Sequence, residues 1–165
     1  MAYAYSNNGM TFRAWNNPTD LLPGEVYFTS QPNTAQFAAT FPGYAAALAS
    51  HQSGDQYNQW IGRGLTLTCA STPAINGTYA INAGSQHTIA LEAQFVSTFS
   101  EFTTGGAVDL PWQLANGQFV VFPTTSLFLA FAKAVAMTVA AAKLAIAQIS
   151  TGQSAALPIN IISLP

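Results

Sequence analysis

Apolar and polar positions alternate in two rhythms along this chain, and the pair of rhythms occurs twice. Leu65, Leu67 and Cys69 alternate with Thr66, Thr68 and Ala70, Asn76-Gly77 supplies turn chemistry, and Thr78 to Ile81 lead into a helical stretch over residues 85–102. Val108, Leu110, Trp112 and Leu114 alternate in the same way with Asp109, Pro111 and Gln113, Asn116-Gly117 makes the turn, and Gln118 to Phe122 lead into a longer helix. A period of two marks strands with one buried face, Asn-Gly between them marks a hairpin, and apolar steps of three and four mark a helix. The two Asn-Gly pairs are 40 residues apart, at 76 and 116, a register that aligns Tyr79 with Phe119, Ile81 with Val121, Ser85 with Thr125 and Ile89 with Leu129. The pattern predicts an α+β fold: two hairpin-helix (ββα) units over residues 64–165, forming one antiparallel sheet covered by two helices. Leu157 to Leu164 reads as a terminal strand, and Pro158 and Pro165 confine it to an edge.

The first fifty residues read as an N-terminal arm. Tyr3 and Tyr5 alternate, Asn7-Asn8-Gly9 tolerates positive φ, and Met10, Phe12 and Ala14 alternate again, which predicts a hairpin. Turn chemistry follows at Asn16-Asn17-Pro18 and Leu22-Pro23-Gly24, then a short strand over 25–29 and a short helix capped near Asn33 with Phe37 and Phe41 on one face. Pro42-Gly43 stops that helix, and Tyr44 to Ala49 can form another short one. Residues 51–63 are polar and aperiodic, the pattern of a linker or exposed loop, with Trp60 and Ile61 anchoring its end.

Composition turns this packing plan towards assembly. Half of the 165 residues are hydrophobic and only 6% are charged, against about 25% in ordinary soluble domains. Such a surface offers little like-charge repulsion to hold copies apart. Four basic residues, Arg13, Arg63, Lys133 and Lys143, are scattered through a chain of net charge −2, so no stripe exists to neutralise phosphates and nucleic acid is not an expected partner. The N-terminus has no basic region followed by an apolar run, and no signal peptide is expected. Residues 127–149 are long and apolar enough to span a bilayer, but Lys133 and Lys143 would each cost about 2.5 to 3.5 kcal/mol there. The apolar side chains Phe128, Phe131, Val135, Val139, Ala142, Ile146 and Ile149 also form a single stripe, which favours a core helix over a membrane span. Assigning that stripe to the core leaves Leu129, Met137 and Leu144 beside Lys133 on the other side, where a solitary domain is polar. These four predict a contact with another subunit, unless the N-terminal arm or the terminal strand covers them.

Candidate chemistry is sparse. Glu92 falls among Ile89, Phe95, Val96 and Phe99 on a predicted helix, so its carboxylate lies at the core edge. A structural carboxylate bonded to a backbone N–H or to Arg63 is favoured over a catalytic acid, since no second carboxylate is placed to work with it. His51 and His87 read as solvent-facing or locally bonded, and Cys69 as a small apolar strand residue. No nucleophile elbow, metal-ligand spacing or phosphate loop occurs, and no cofactor is expected. Asn76-Gly77-Thr78 matches a glycosylation sequon, which its place in a predicted hairpin makes structural. Trp15, Trp60 and Trp112 with the tyrosines could line a glycan-binding face.

Several stretches together resemble a domain of unknown function found in bacteriophage tail and tail-fibre-associated proteins. They are Gly64-Leu65-Thr66-Leu67-Thr68, Thr72-Pro73-Ala74-Ile75-Asn76-Gly77-Thr78-Tyr79-Ala80-Ile81, Leu110-Pro111-Trp112, Phe122-Pro123-Thr124-Thr125 and Leu157-Pro158. Ala14-Trp15-Asn16, Leu22-Pro23-Gly24-Glu25-Val26 and Phe41-Pro42-Gly43-Tyr44 are similar to the leader that precedes that domain. The resemblance implies a non-enzymatic virion structural protein of the tail or tail fibre, made in the host cytoplasm, with other virion proteins and copies of itself as partners. It carries no catalytic residue over. A head decoration protein and a host-surface glycan-binding module are the alternatives.

Overall fold

The computed structural model describes residues 1–15, 17–105 and 111–165. It is an α+β protein of two compact units: Met1–Gly54 with Gln148–Ser154, and Asp55–Ala147 with Ala155–Pro165.

In the first unit the predicted hairpin forms. β1 (Tyr3–Ser6) pairs antiparallel with β2 (Thr11–Ala14), and Asn7, Asn8 and Gly9 all take positive φ between them. β3 (Val26–Phe28) joins the other edge of β1, giving the order β2-β1-β3. α1 (Thr34–Thr40) starts on a capping box, in which Asn33 Oδ1 accepts the Gln36 N–H and Gln36 Oε1 accepts the Asn33 N–H. Tyr5, Phe41 and Tyr44 form the core of this unit, and Phe37 stacks on Tyr44 with ring centroids 4.9 Å apart. The N-terminal arm therefore has a sheet and a core of its own.

The expected linker at residues 51–63 is instead helical. α2 runs Tyr44–Gly62, taking in His51, Ser53, Gly54, Asp55, Gln56 and Asn58. Tyr57, Trp60 and Ile61 fall at helical spacing and pack on the second unit's core, and Ser53 hides its hydroxyl by donating to the Ser50 carbonyl. Burial of a few large side chains outweighs the weak local preference of a polar stretch.

In the second unit β4 (Leu65–Cys69) is the centre of a three-stranded sheet of order β5-β4-β8. β5 (Gly77–Tyr79) is antiparallel to it, and β8 (Ile161–Leu164) lies parallel on its other side, at the edge as the prolines require. The sheet is mixed, not the single antiparallel sheet expected, and the second hairpin is not part of it. β6 (Trp112–Gln113) and β7 (Phe119–Val120) form a separate two-stranded ladder, joined to β5 by a bridge between Tyr79 and Leu114. Val108, Asp109 and Leu110, the expected start of that hairpin, lie outside the described residues, as do Gly106 and Asn16.

The forty-residue register fails for a physical reason. Asn116-Gly117 is a true turn, with Gly117 at φ +85°. Asn76-Gly77 is not: the chain turns through Pro73–Ile75, Asn76 Oδ1 caps the Cys69 N–H at 2.6 Å, and Gly77 already belongs to β5. Pairing Tyr79 with Phe119 therefore aligns a buried ring with one that is 65% exposed, and it is Phe122, not Val121, that enters the core beside Tyr79. In a strand a one-residue slip exchanges the two faces.

α3 (Ala83–Phe99) is capped by Asn82, whose Oδ1 accepts the Ser85 N–H, and it ends at Ser100 with φ +60°. α4 (Thr125–Ser150) has the length and composition of a membrane-crossing helix, yet it buries Phe128, Phe131, Ala132, Val135, Val139, Ala142 and Ala145. Phe102, Phe122, Phe128 and Phe131 are fully buried and, with Tyr79, form the aromatic centre of this unit.

Candidate functional site

α3 and α4 leave between them an open apolar groove of about 590 Å³. Ile89, Val135 and Val139, all buried, form its floor, and Ala90, Ala93 and Ala136 line its walls with side chains too short to fill it. Leu129, half-buried against the core, and the exposed Lys133 and Lys143 also line it. Two of the four basic residues thus stand on one groove, and no Asp or Glu lines it. Neither lysine is within ion-pair distance of a carboxylate among the described residues.

The four predicted contact residues divide. Leu129 and Lys133 belong to the groove. Met137 and Leu144 stand outside it and are 64% and 62% exposed, so no described segment of the chain covers them. The sequence reading missed the α3 wall and the part played by Lys143. Gln86, Ala90 and Ala93 follow one another at helical spacing, and the pair of alanines on that face was the available signal. It has no meaning until a second helix is known to lie beside it.

Glu92 is buried on the core side of α3. Its Oε1 accepts the Thr103 N–H at 2.9 Å and its Oε2 accepts the Thr103 hydroxyl at 2.7 Å. Of the two expected partners it takes the backbone N–H; Arg63 is not bonded to it among the described residues. The clamp holds the chain just after α3 back against the helix, where Phe102 enters the core. In the first unit Glu25 accepts both Nε and Nη2 of Arg13, at 2.7 and 2.6 Å, together with the Leu22 N–H at 2.8 Å. The Arg13 bonds, then the Leu22 N–H, draw its carboxyl down to about 2.

Other chemistry-bearing residues are occupied or dispersed. Cys69 is buried in β4 with its Sγ 3.3 Å from both Ser71 Oγ and the Pro165 carbonyl, and the Ser71 contact lowers the thiol's pKa. His51 and His87 are exposed on α2 and α3. Trp60 is buried and donates its indole N–H to the Pro158 carbonyl, and Trp112 stacks on Phe128 at 5.4 Å, which commits both rings to packing. Trp15 lies 4.1 Å beneath the Arg13 guanidinium. No group of three or more His, Cys, Asp or Glu is placed to hold a metal among the described residues. No family model, curated protein or solved structure matches this chain.

Proposed function

We propose that this chain is a non-enzymatic structural subunit of a larger assembly, docking copies of itself and other proteins through the exposed side of α4. The observation that carries the reading is the exposure of Met137 and Leu144 beside an apolar groove, on a chain with only 6% charged residues. Large apolar side chains grouped on one helix face mark a contact, whereas single ones scattered over a surface do not. A bacteriophage particle, in its tail or tail fibre, is the proposed setting, and that part rests on the turn and core motifs of the sequence. The test is incorporation. Particles assembled with the Met137→Glu/Leu144→Glu variant should lack the protein while the variant remains folded by circular dichroism. Normal incorporation of the folded variant would overturn the reading.

A further inference from the structure

We infer that the α3–α4 groove receives an apolar helix of a different protein, one that carries two carboxylates about three turns apart on either flank of its apolar face. The inference rests on the assembly reading above and names the chemistry of one partner. Three features of the groove select this occupant. Its floor of Ile89, Val135 and Val139 and its alanine walls call for an apolar ligand that can approach closely. From Leu129 to Lys143 the α4 side extends about 21 Å, at about 1.5 Å per residue, the length of some four helical turns. Lys133 and Lys143 are ten residues apart, about 15 Å along the axis, and no acidic residue of the groove neutralises either.

The separation of the lysines decides between ligands. An amphiphile with one anionic head would satisfy one lysine and leave the other facing an uncharged chain. A helix laid along the groove presents residues ten positions apart at the matching distance of about 15 Å and about 80° apart around its axis, one on each flank of its apolar face, and carboxylates there meet both. No described helix of a second copy carries such a pair. α2 carries only Asp55, α3 only Glu92, which is buried, and α1 and α4 carry no acidic residue. The partner is therefore another component of the assembly, held by shape along the floor and by charge at the rim.

The test uses the full chain and a synthetic helical peptide of about 18 residues, with Leu and Ala on one face and two glutamates about three turns apart on its flanks. A control peptide has lysine at both glutamate positions, and binding is read by fluorescence anisotropy. The glutamate peptide should bind about tenfold more tightly than the lysine peptide. The exposed-site variant Lys133→Glu/Lys143→Glu should reverse that preference, and Ala136→Trp should block both peptides while circular dichroism shows each variant folded. No binding of the glutamate peptide, equal binding of both peptides, an unreversed preference in the swapped variant, or displacement of the peptide by equimolar myristate would each overturn the inference. Incorporation of the wild-type chain into particles is scored separately. A chain that enters particles but ignores the peptide refutes this groove assignment alone, and one that never enters them refutes the assembly reading.

Discussion

Glu92 and Glu25 are both carboxylates held by several donors, and they fail under different conditions. Glu92 is buried and gives both oxygens to Thr103, so Glu92→Gln keeps the shape of the site but removes the charge from two charge-assisted bonds. The variant should lose about 1 to 3 kcal/mol in chemical denaturation while peptide binding by the groove is unchanged. Loss of binding without loss of stability would mark Glu92 as functional. Glu25 instead sets a pH limit. Its folded pKa lies near 2 and its ordinary value is 4.5, so the stability it contributes is fully present above about 4.5 and disappears as pH falls towards 2. Thermal melts of the wild type should therefore drop between pH 5 and pH 2, and Glu25→Gln should flatten that part of the profile.

At the scale of elements, α2 shows how a polar segment becomes a helix. Its C-terminal carbonyls lie beyond the regular helical ladder, and the Trp60 and Ile61 carbonyls accept the Arg63 and Gly64 N–H groups at 3.3 and 3.0 Å. Asn160, a hundred residues from Trp60, adds to this end: its side-chain Nδ2 donates to the Trp60 carbonyl at 3.1 Å and, just past the helix, to the Gly64 carbonyl at 2.8 Å, while its backbone carbonyl accepts the Thr66 N–H at 2.8 Å. The side chain thus ties the end of α2 to the chain entering β8, and the backbone carbonyl of the same residue begins the parallel pairing of β8 on β4. Between them Gly64 turns the chain at φ +70°, where a Cβ would lie 2.5 Å from the Tyr79 carbonyl oxygen. Asn160→Ala leaves both carbonyls without this donor and should cost about 1 to 3 kcal/mol in urea denaturation. Hydrogen exchange in the last turn of α2 and in β8 should accelerate together, since both depend on that residue.

For the whole molecule, low charge and an exposed apolar helix face act in the same direction. Little electrostatic repulsion opposes association, and burying Met137 and Leu144 contributes about 1.5 to 3 kcal/mol each before the costs of association. Under the proposed function, sedimentation of the isolated wild-type chain should show self-association that Met137→Glu/Leu144→Glu abolishes. A wild-type chain that sediments as a monomer at all concentrations would restrict the contact to other proteins.

What the sequence determined by itself was local. Period-two runs marked β1, β2 and β4, the Asn33 cap marked the start of α1, and the three-four stripe of α4 named Phe128, Phe131, Val135 and Val139 as core. These follow from backbone geometry and the side of an element on which a residue falls. Glu92 was legible for the same reason, because its neighbours on the helix fixed the face it occupies. Tertiary structure decided the rest. Whether Asn76-Gly77 turns or extends depends on the Cys69 N–H that Asn76 caps, and whether residues 51–63 coil or wind depends on what Trp60 and Asn160 meet. The parallel β4–β8 pairing joins residues more than ninety positions apart, beyond the reach of any local rhythm. The groove required two helices to lie side by side, and an alanine run on one helix carries no sign of what the other will leave uncovered.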